Sequence, residues 1–288
     1  MRWKDLRRSE NVRDVRGAGG FGGGRMPLPG GRRGGLGGGI GLLVILGLMY
    51  IVGGPDAVMQ FFSGGAGAPS SDQGRPLTAN DEVSDFVARV LGSTEDVWGS
   101  VFAQAGERYR APELTIFSGS VRSACGFASA ASGPFYCPSD QRVYLDTSFF
   151  DELARMGGPG DFAAAYVIGH EVGHHVQTLL GTSDQVRAAQ QRAGEAGANR
   201  LQVAMELQAD CFAGVWAYHA NQTVRVLEPG DVEEGLAAAQ AIGDDRLQRN
   251  AGRAVTPDSF THGSSADRQR WLSTGLRTGD ASACDTFN

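Results

Sequence analysis

The sequence predicts a mainly helical α+β fold with a small β-sheet, placed behind one N-terminal transmembrane helix. An uncharged apolar run lies near the N-terminus, apolar residues recur at helical spacing through much of residues 81–288, and two short strand-like runs lie among them. The chain has 288 residues, of which 41% are hydrophobic and 20% charged, so it is long enough for a folded domain with a sizeable core.

The apolar run contains no charged residue between Arg33 and Asp56. As a helix these 22 residues would span roughly 33 Å, enough for a hydrocarbon core of ~30 Å. Nine basic and three acidic side chains precede the run, so the positive-inside rule predicts a cytoplasmic N-terminus and an extracytoplasmic domain. We therefore predict a single-pass protein of the bacterial cell membrane. A buried core helix and a signal peptide cleaved near Ala66-Gly-Ala68 are the alternatives.

Composition divides the chain into four predicted segments. Residues 1–36 are a basic, disordered cytoplasmic tail, 37–55 the transmembrane anchor, 56–80 a flexible linker, and 81–288 one folded domain. The chain after the tail is acidic, which argues against nucleic acid as a partner because phosphate binding needs a basic surface. The membrane is the expected partner of the anchor, and the sequence leaves the oligomeric state open.

Within the domain, helical spacing begins after Asn80, a good N-cap residue. Strands are predicted at 114–118 and at 142–146, the second of them after a turn at 138–141. Later segments with helical spacing cover about 161–180, 183–192, 201–219, 232–249 and 264–276.

The chain has four cysteines, and an even number outside the cytoplasm permits two disulfides. Cys125 and Cys137 flank a loop of small residues, so we predict that they pair with each other. Cys211 would then pair with Cys284. A zinc site made of all four cysteines and, for Cys211, a buried free thiol are the alternatives.

Two histidines on one predicted helix suggest a metal site. His170 and His174 are four residues apart, so both imidazoles project from one face, as two nitrogen ligands of Zn²⁺ would. Glu171 would lie beside the metal, where a carboxylate can accept a proton from a bound water. Histidines that are merely packed or solvated are the alternative. Gly173 predicts the close approach of another element, because glycine costs ~1 kcal/mol inside a helix.

A second acidic motif, Glu206-Leu-Gln-Ala-Asp210, lies on a later predicted helix. Catalytic zinc takes three protein ligands and keeps one position open, and Glu206 is the predicted third ligand. Asp210 lies one turn further along and would accept the imidazole N–H of a ligand histidine. The alternative is an ordinary helix with acids four residues apart.

The motifs H-E-V-G-H and E-L-Q-A-D together resemble the gluzincin metallopeptidases, and among them are similar to the CAAX-prenyl-protease type. The run from Thr261 to Arg268 is similar to a third motif of that group, with Gly-Ser in place of Pro-Pro. This resemblance implies that His262 and Arg268 face the site and stabilise an oxyanion; a helix-entry loop with a surface arginine is the alternative. Motifs along nearly the whole chain resemble a bacterial family of neutral zinc metallopeptidases, which implies a zincin-like domain behind one anchor.

Together these features predict a zinc-dependent endopeptidase that acts on proteins or peptides, with Glu171 as general base. Strand 142–146 is the candidate edge for an extended substrate, and Tyr144 and Tyr166 are candidate extra donors or else core aromatics. A non-catalytic, zinc-stabilised module that binds an envelope partner is the alternative. Glu171 favours catalysis, because a structural zinc site needs no carboxylate beside its ligands.

Overall fold

The computed structural model describes residues 1–16 and 81–287. The predicted anchor at 37–55 and the predicted linker at 56–80 lie outside the described residues. Among the helices that are described, none has the length and apolar character that crossing a bilayer would require.

Helices make up most of the described fold, which confirms the predicted mainly helical α+β class. They are α1 Glu82–Gln104, α2 Ser148–Met156, α3 Asp161–Leu179, α4 Thr182–Gln190, α5 Glu195–Val224, α6 Asp231–Ala241, α7 Asp244–Asn250 and α8 Ser265–Thr278. The single helix predicted at 232–249 is therefore two. The chain breaks at Gly243, where a Cβ would lie only 2.4 Å from the backbone nitrogen of Ser265.

The described strands form a four-stranded sheet and a separate antiparallel hairpin. They are β1 Val12–Asp14, β2 Glu113–Phe117, β3 Ser120–Ser123, β4 Gly126–Ser129, β5 Phe135–Cys137 and β6 Arg142–Asp146. The four-stranded sheet has the order β1–β2–β6–β5. Within it, β1–β2 and β2–β6 pair in parallel and β5–β6 pair antiparallel. The separate hairpin is formed by β3 and β4. The predicted substrate edge, β6, is therefore wrong, because β6 lies between two neighbours. Among the described strands, β1 and β5 are the two edges of the sheet, and β5 is the edge next to β6.

Residues 1–16 are folded. The sequence predicted a disordered tail over residues 1–36, and for residues 1–16 this prediction is wrong. β1 runs parallel to β2 with Arg13 opposite Thr115, and Leu6 lies in the main core. The basic side chains here have acidic partners, as where Arg7 contacts Glu95 on α1 at 2.7 Å. Two strands of one sheet cannot lie on opposite sides of a membrane. A cytoplasmic tail with an extracytoplasmic domain stays a prediction from the sequence, and the pairing of β1 with β2 favours one side for both segments.

Side chains from α1, α3, α5, β2 and β6 form the main core. Trp98 and Trp216 are 1% and 0% exposed, and the indole N–H of Trp216 donates to Ser93 at 3.1 Å. Both predicted disulfides, Cys125–Cys137 and Cys211–Cys284, are confirmed. The second one holds the C-terminal segment against α5.

Candidate metal centre

The two helices that carry the predicted ligands lie in close contact. α3 carries His170 and His174, and α5 carries Glu206. The backbones approach closely at Gly173, where a Cβ would lie 2.9 Å from the carbonyl oxygen of Ala209. The glycine thus lets α5 approach α3, as the sequence predicts, and this approach brings Glu206 to the histidines.

The three predicted ligands converge at one point. Nε2 of His170 lies 3.2 Å from Oε2 of Glu206, and Nε2 of His174 lies 3.6 Å from Oε1 of the same carboxylate. The three ligand atoms all lie within 4.8 Å of one another. Two imidazole nitrogens and one carboxylate oxygen are a donor set that zinc accepts. The residues present therefore fit the metal that the motif implies.

These ligands form part of the wall of a cavity of about 1100 Å³. Glu171 and His262 also line it, and so do Phe135 and Tyr136 of the edge strand. Apolar side chains from three helices and from the connection between α6 and α7 line another part of the wall: Phe149, Met156, Val167, Ile242 and Leu247. The ligand set thus has an open side that can admit water and a substrate.

The carboxylate of Asp210 holds the outer nitrogen of His170. Oδ1 of Asp210 lies 2.8 Å from Nδ1 of His170, and the hydroxyl of Tyr166 donates to the same oxygen at 2.5 Å. The Nε and Nη2 groups of Arg268 donate to the two carboxylate oxygens, each at 2.9 Å. All four side chains are buried. A carboxylate behind a ligand histidine fixes the ring and its tautomer.

Arg268 lies in the cavity wall, and buried partners hold its guanidinium there. It is 2% exposed, and its Nη2 also donates to the hydroxyl of Tyr166 at 3.1 Å. Its Nε and Nη2 groups already donate hydrogen bonds inside the protein, and these contacts make Arg268 the charge partner of Asp210. Tyr166 belongs to the same buried network, whereas the hydroxyl of Tyr144 donates to Asp140 at 2.8 Å.

His262 lies in the cavity wall on a loop that Asp244 organises. Oδ2 of Asp244 accepts the backbone N–H groups of Thr261, His262 and Gly263 at 2.7, 2.6 and 3.0 Å. Gly263 has a φ of 97°, which side-chain-bearing residues rarely adopt, so this loop needs glycine at that position. The imidazole of His262 is half exposed, with Nδ1 3.3 Å from Oδ1 of Asp244.

The buried charges shift one another's pKa values in the metal-free chain. Burial lowers the pKa of His170, but Asp210 and Glu206 outweigh burial and raise it to about 10. Burial raises the pKa of Glu206, yet the charges of His174 and His170 hold it well below its usual range. Burial also raises the pKa of Glu171. The charges of the two histidines oppose this effect but do not outweigh it, so the pKa of Glu171 is raised. Without a metal, these shifts favour the protonated form of His170.

Sequence reasoning missed two supporting groups beside the ligands. Oε1 of Gln177 lies 2.8 Å from Nδ1 of His174, and the only sequence signal is a polar residue one turn after a ligand histidine. His175 connects α3 to the edge strand, with Nδ1 3.1 Å from the Tyr136 hydroxyl and Nε2 2.6 Å from the Arg110 carbonyl oxygen. Burial is the main cause that lowers the pKa of His175 to about 4.

Comparison with known proteins places this geometry in a family. The family model described as "Putative neutral zinc metallopeptidase" matches residues 1–287. The chain belongs to this family. Its description implies zinc and a peptidase activity, in agreement with the His-His-Glu group of the site.

Two similar relatives come from well-known bacteria. The uncharacterized protein YpfJ of Escherichia coli strain K12 is 47% identical over 292 residues, which cover 100% of this chain and 99% of the relative. The uncharacterized protein Rv2575 of Mycobacterium tuberculosis strain H37Rv is 43% identical over 232 residues, which cover 77% of each chain. No solved structure matches the chain significantly.

Proposed function

We propose that this protein is a zinc-dependent endopeptidase whose metal is held by His170, His174 and Glu206. The observation that carries the proposal is the convergence of three ligand atoms within 4.8 Å beside an open cavity of about 1100 Å³. A structural zinc site usually has four protein ligands, whereas a catalytic site has three and an open position. Among the described residues three ligands converge here, and Glu171 stands next to the first.

The chemistry needs an activated water and a group that moves its proton. Zinc bound here would polarise a carbonyl group and lower the pKa of a bound water to about 7. A carboxylate oxygen of Glu171 accepts the proton of the attacking water and then donates it to the nitrogen of the leaving amine. Burial, which raises the pKa of Glu171, suits a group that must carry a proton between two steps.

The edge strand β5 is the part of the fold best suited to hold an extended peptide. Among the strands that the structure describes, β5 pairs with β6 alone, and its residues Phe135 and Tyr136 line the cavity. A peptide that adds to such an edge gains main-chain hydrogen bonds whatever its sequence. His175 holds the hydroxyl of Tyr136, which fixes the distance between this strand and α3.

The imidazole of His262 is the candidate donor to the developing oxyanion. Its Nδ1 faces Asp244, so its Nε2 is the nitrogen left to donate to a substrate oxygen. The hydrogen bonds to Asp244 are the first cause that raises the pKa of His262, which favours the protonated, donating form. Arg268 contributes by holding Asp210 in place rather than by touching the substrate.

We further propose a zincin-like domain that works in an oxidising compartment. The ligand helix beside a sheet edge supports the first point, and the two disulfides support the second. Attachment to the membrane through residues 37–55 and similarity to the CAAX-prenyl-protease type stay predictions from the sequence.

Metal content together with peptide cleavage tests the proposal. The full chain is loaded with zinc, analysed for metal, and incubated with an unfolded protein as substrate before and after treatment with a chelator. We expect one zinc per chain, cleavage that the chelator abolishes, and recovery when zinc is returned. Bound zinc without cleavage would instead indicate a zinc-stabilised binding module, and absence of zinc would refute the site.

A further inference from the structure

The two ligand histidines have different partners at their outer nitrogens. The partner of His170 is a carboxylate, Asp210, whereas the partner of His174 is the amide of Gln177, with Oε1 2.8 Å from Nδ1. Gln177 is 0% exposed, so its polar atoms must find partners within the protein. The Nε2 group donates to the carbonyl oxygen of Met205 at 2.7 Å and to Oε1 of Gln208 at 3.1 Å.

These partners determine which way the amide faces. The backbone oxygen of Met205 can only accept a hydrogen bond, so the group that faces it must be the NH₂ of Gln177. Its Oε1 then faces His174 and can only accept, which requires the hydrogen of the imidazole to be on Nδ1. That tautomer leaves the lone pair of Nε2 directed away from Gln177, and Nε2 is the atom that lies 3.6 Å from Glu206.

The charges of the site explain why an amide suits this position. The carboxylates of Glu171, Glu206 and Asp210 are buried together, and Arg268 is the cation within their network. A divalent metal would bring this set to neutrality. Another carboxylate in place of Gln177 would add a buried negative charge without a cation, which is costly. A neutral amide can hold the ring without that cost.

The amide is also connected to the C-terminal segment. Gln208 accepts from Gln177, and its own Nε2 donates to the carbonyl oxygen of Cys284 at 3.0 Å. Cys284 is joined to Cys211 of α5 by a disulfide. A line of hydrogen bonds therefore runs from the second ligand histidine to a segment that is covalently attached to the helix of the third ligand.

We infer that Gln177 is the positioning residue for His174: it sets the tautomer and ring orientation that metal binding needs, and Gln208 anchors it to the C-terminal segment. This inference rests on the proposed metal site but not on its turnover. Loss of such a partner typically weakens metal binding by about 10- to 100-fold. The effect thus belongs to metal affinity, which can be measured without a substrate.

Zinc affinity of the full chain tests the inference, measured by competition with a chromogenic chelator. Gln177→Met keeps the length of the side chain and removes the oxygen that accepts from His174. We expect the dissociation constant for zinc to rise about 10- to 100-fold. Gln104→Met is the matched control, since Gln104 is exposed on α1 and bonds only to Ser100 among the contacts observed. A nitrogen–proton NMR correlation should show a protected Nδ1–H of His174 in the zinc-loaded wild type and its loss in the variant.

A second variant covers the case in which Gln177→Met does not fold. Gln177→Asn keeps a neutral amide but is one methylene shorter, so it cannot reach His174 and Met205 together, and the same loss of affinity is expected. A folded variant at Gln177 whose zinc affinity stays within about twofold of the wild type would overturn the inference. A wild-type chain that binds no zinc would refute the metal site itself, a result visible before any variant is made.

Discussion

At the scale of single residues, the site consists of buried charges that depend on one another. Asp210 is 0% and Arg268 2% exposed, and Tyr166 is bonded to both. Removing one partner of a buried ion pair leaves the other charge without compensation, which costs far more than an exposed pair contributes. The stability of the metal-free chain should therefore depend on Arg268.

Arg268→Met tests this dependence. We expect the free energy of unfolding to fall by about 3–5 kcal/mol, because Asp210 would lose the buried cation that bonds both of its carboxylate oxygens. Arg270→Met is the control, since the Arg270 side chain is 64% exposed and its pairing with Asp267 contributes at most about 1 kcal/mol. Urea denaturation in the presence of a chelator measures both. Equal losses in the two variants would contradict the account.

His175 gives the chain a pH dependence with a definite sign. Its pKa is about 4 in the fold and about 6.5 when unfolded, so between these values the unfolded chain binds the extra proton. The stabilisation is complete above pH 6.5 and is lost as the pH falls towards 4, by up to about 1.4 kcal/mol per pH unit. His175→Gln should show a shallower loss in urea denaturation between pH 7 and 5, with chelator present. If the variant loses as much stability as the wild type between pH 7 and 5, His175 is not the group responsible.

The ligands could be predicted from the sequence because their spacing along two helices is itself the signal. His170, His174 and Glu206 need only helical geometry and one close approach. Gln177 and Tyr136 could not be predicted in this way, since their roles depend on contacts with elements far away in the chain. The role of Arg268 could not be predicted either, because it depends on the hydrogen bonds of its guanidinium to Asp210 and Tyr166.

At the scale of elements, the contact between α3 and α5 assembles the site. α3 was predicted to within one residue, because helical periodicity survives over many turns. α5 begins six residues before and ends five residues after the predicted 201–219. β5 was not predicted, since three residues between two prolines carry too little pattern. The predicted substrate edge therefore fell on β6, which has a neighbour on each side.

Gly173→Ala tests the close contact between these helices. The added Cβ would lie 2.9 Å from the Ala209 carbonyl oxygen, so α5 must move and carry Glu206 with it. We expect unfolding to become easier by about 1–3 kcal/mol and zinc affinity to fall. Gly99→Ala in α1 is the control, because no atom lies within 4 Å and alanine should stabilise that helix by up to about 1 kcal/mol. Thermal melts and chelator competition would measure both, and unchanged zinc affinity in Gly173→Ala would contradict the expectation.

At the scale of the whole molecule, the N-terminal residues belong to the fold that carries the site. β1 extends the sheet beside β2, and the amino group of Met1 lies 2.7 Å from Asp161, the first residue of α3. The positive-inside rule counted basic side chains such as Arg7 as free charges, whereas the fold pairs Arg7 with Glu95. Composition alone could not show this pairing, so the predicted orientation depended on charges that are not free.

Residues 1–16 and 81–287 should accordingly share one compartment. Lys4→Cys and Arg200→Cys place single thiols at side chains that are each 70% exposed, and the four native cysteines are all in disulfides. A membrane-impermeant maleimide applied to intact cells should label both positions or neither, with lysed cells as the control for reactivity. Labelling of one position only would show that the two lie on opposite sides.

Turnover by Glu171→Gln at equal zinc content tests the central claim most directly. The glutamine keeps the size of the side chain but cannot accept the proton of the attacking water, so cleavage should fall by at least about 100-fold. Zinc bound per chain should stay at the wild-type level, since Glu171 is not among the three converging ligands. Full-chain wild type and variant are compared on the same unfolded protein, with new N-termini counted by mass spectrometry. Cleavage at the wild-type rate by the zinc-loaded variant would contradict the account.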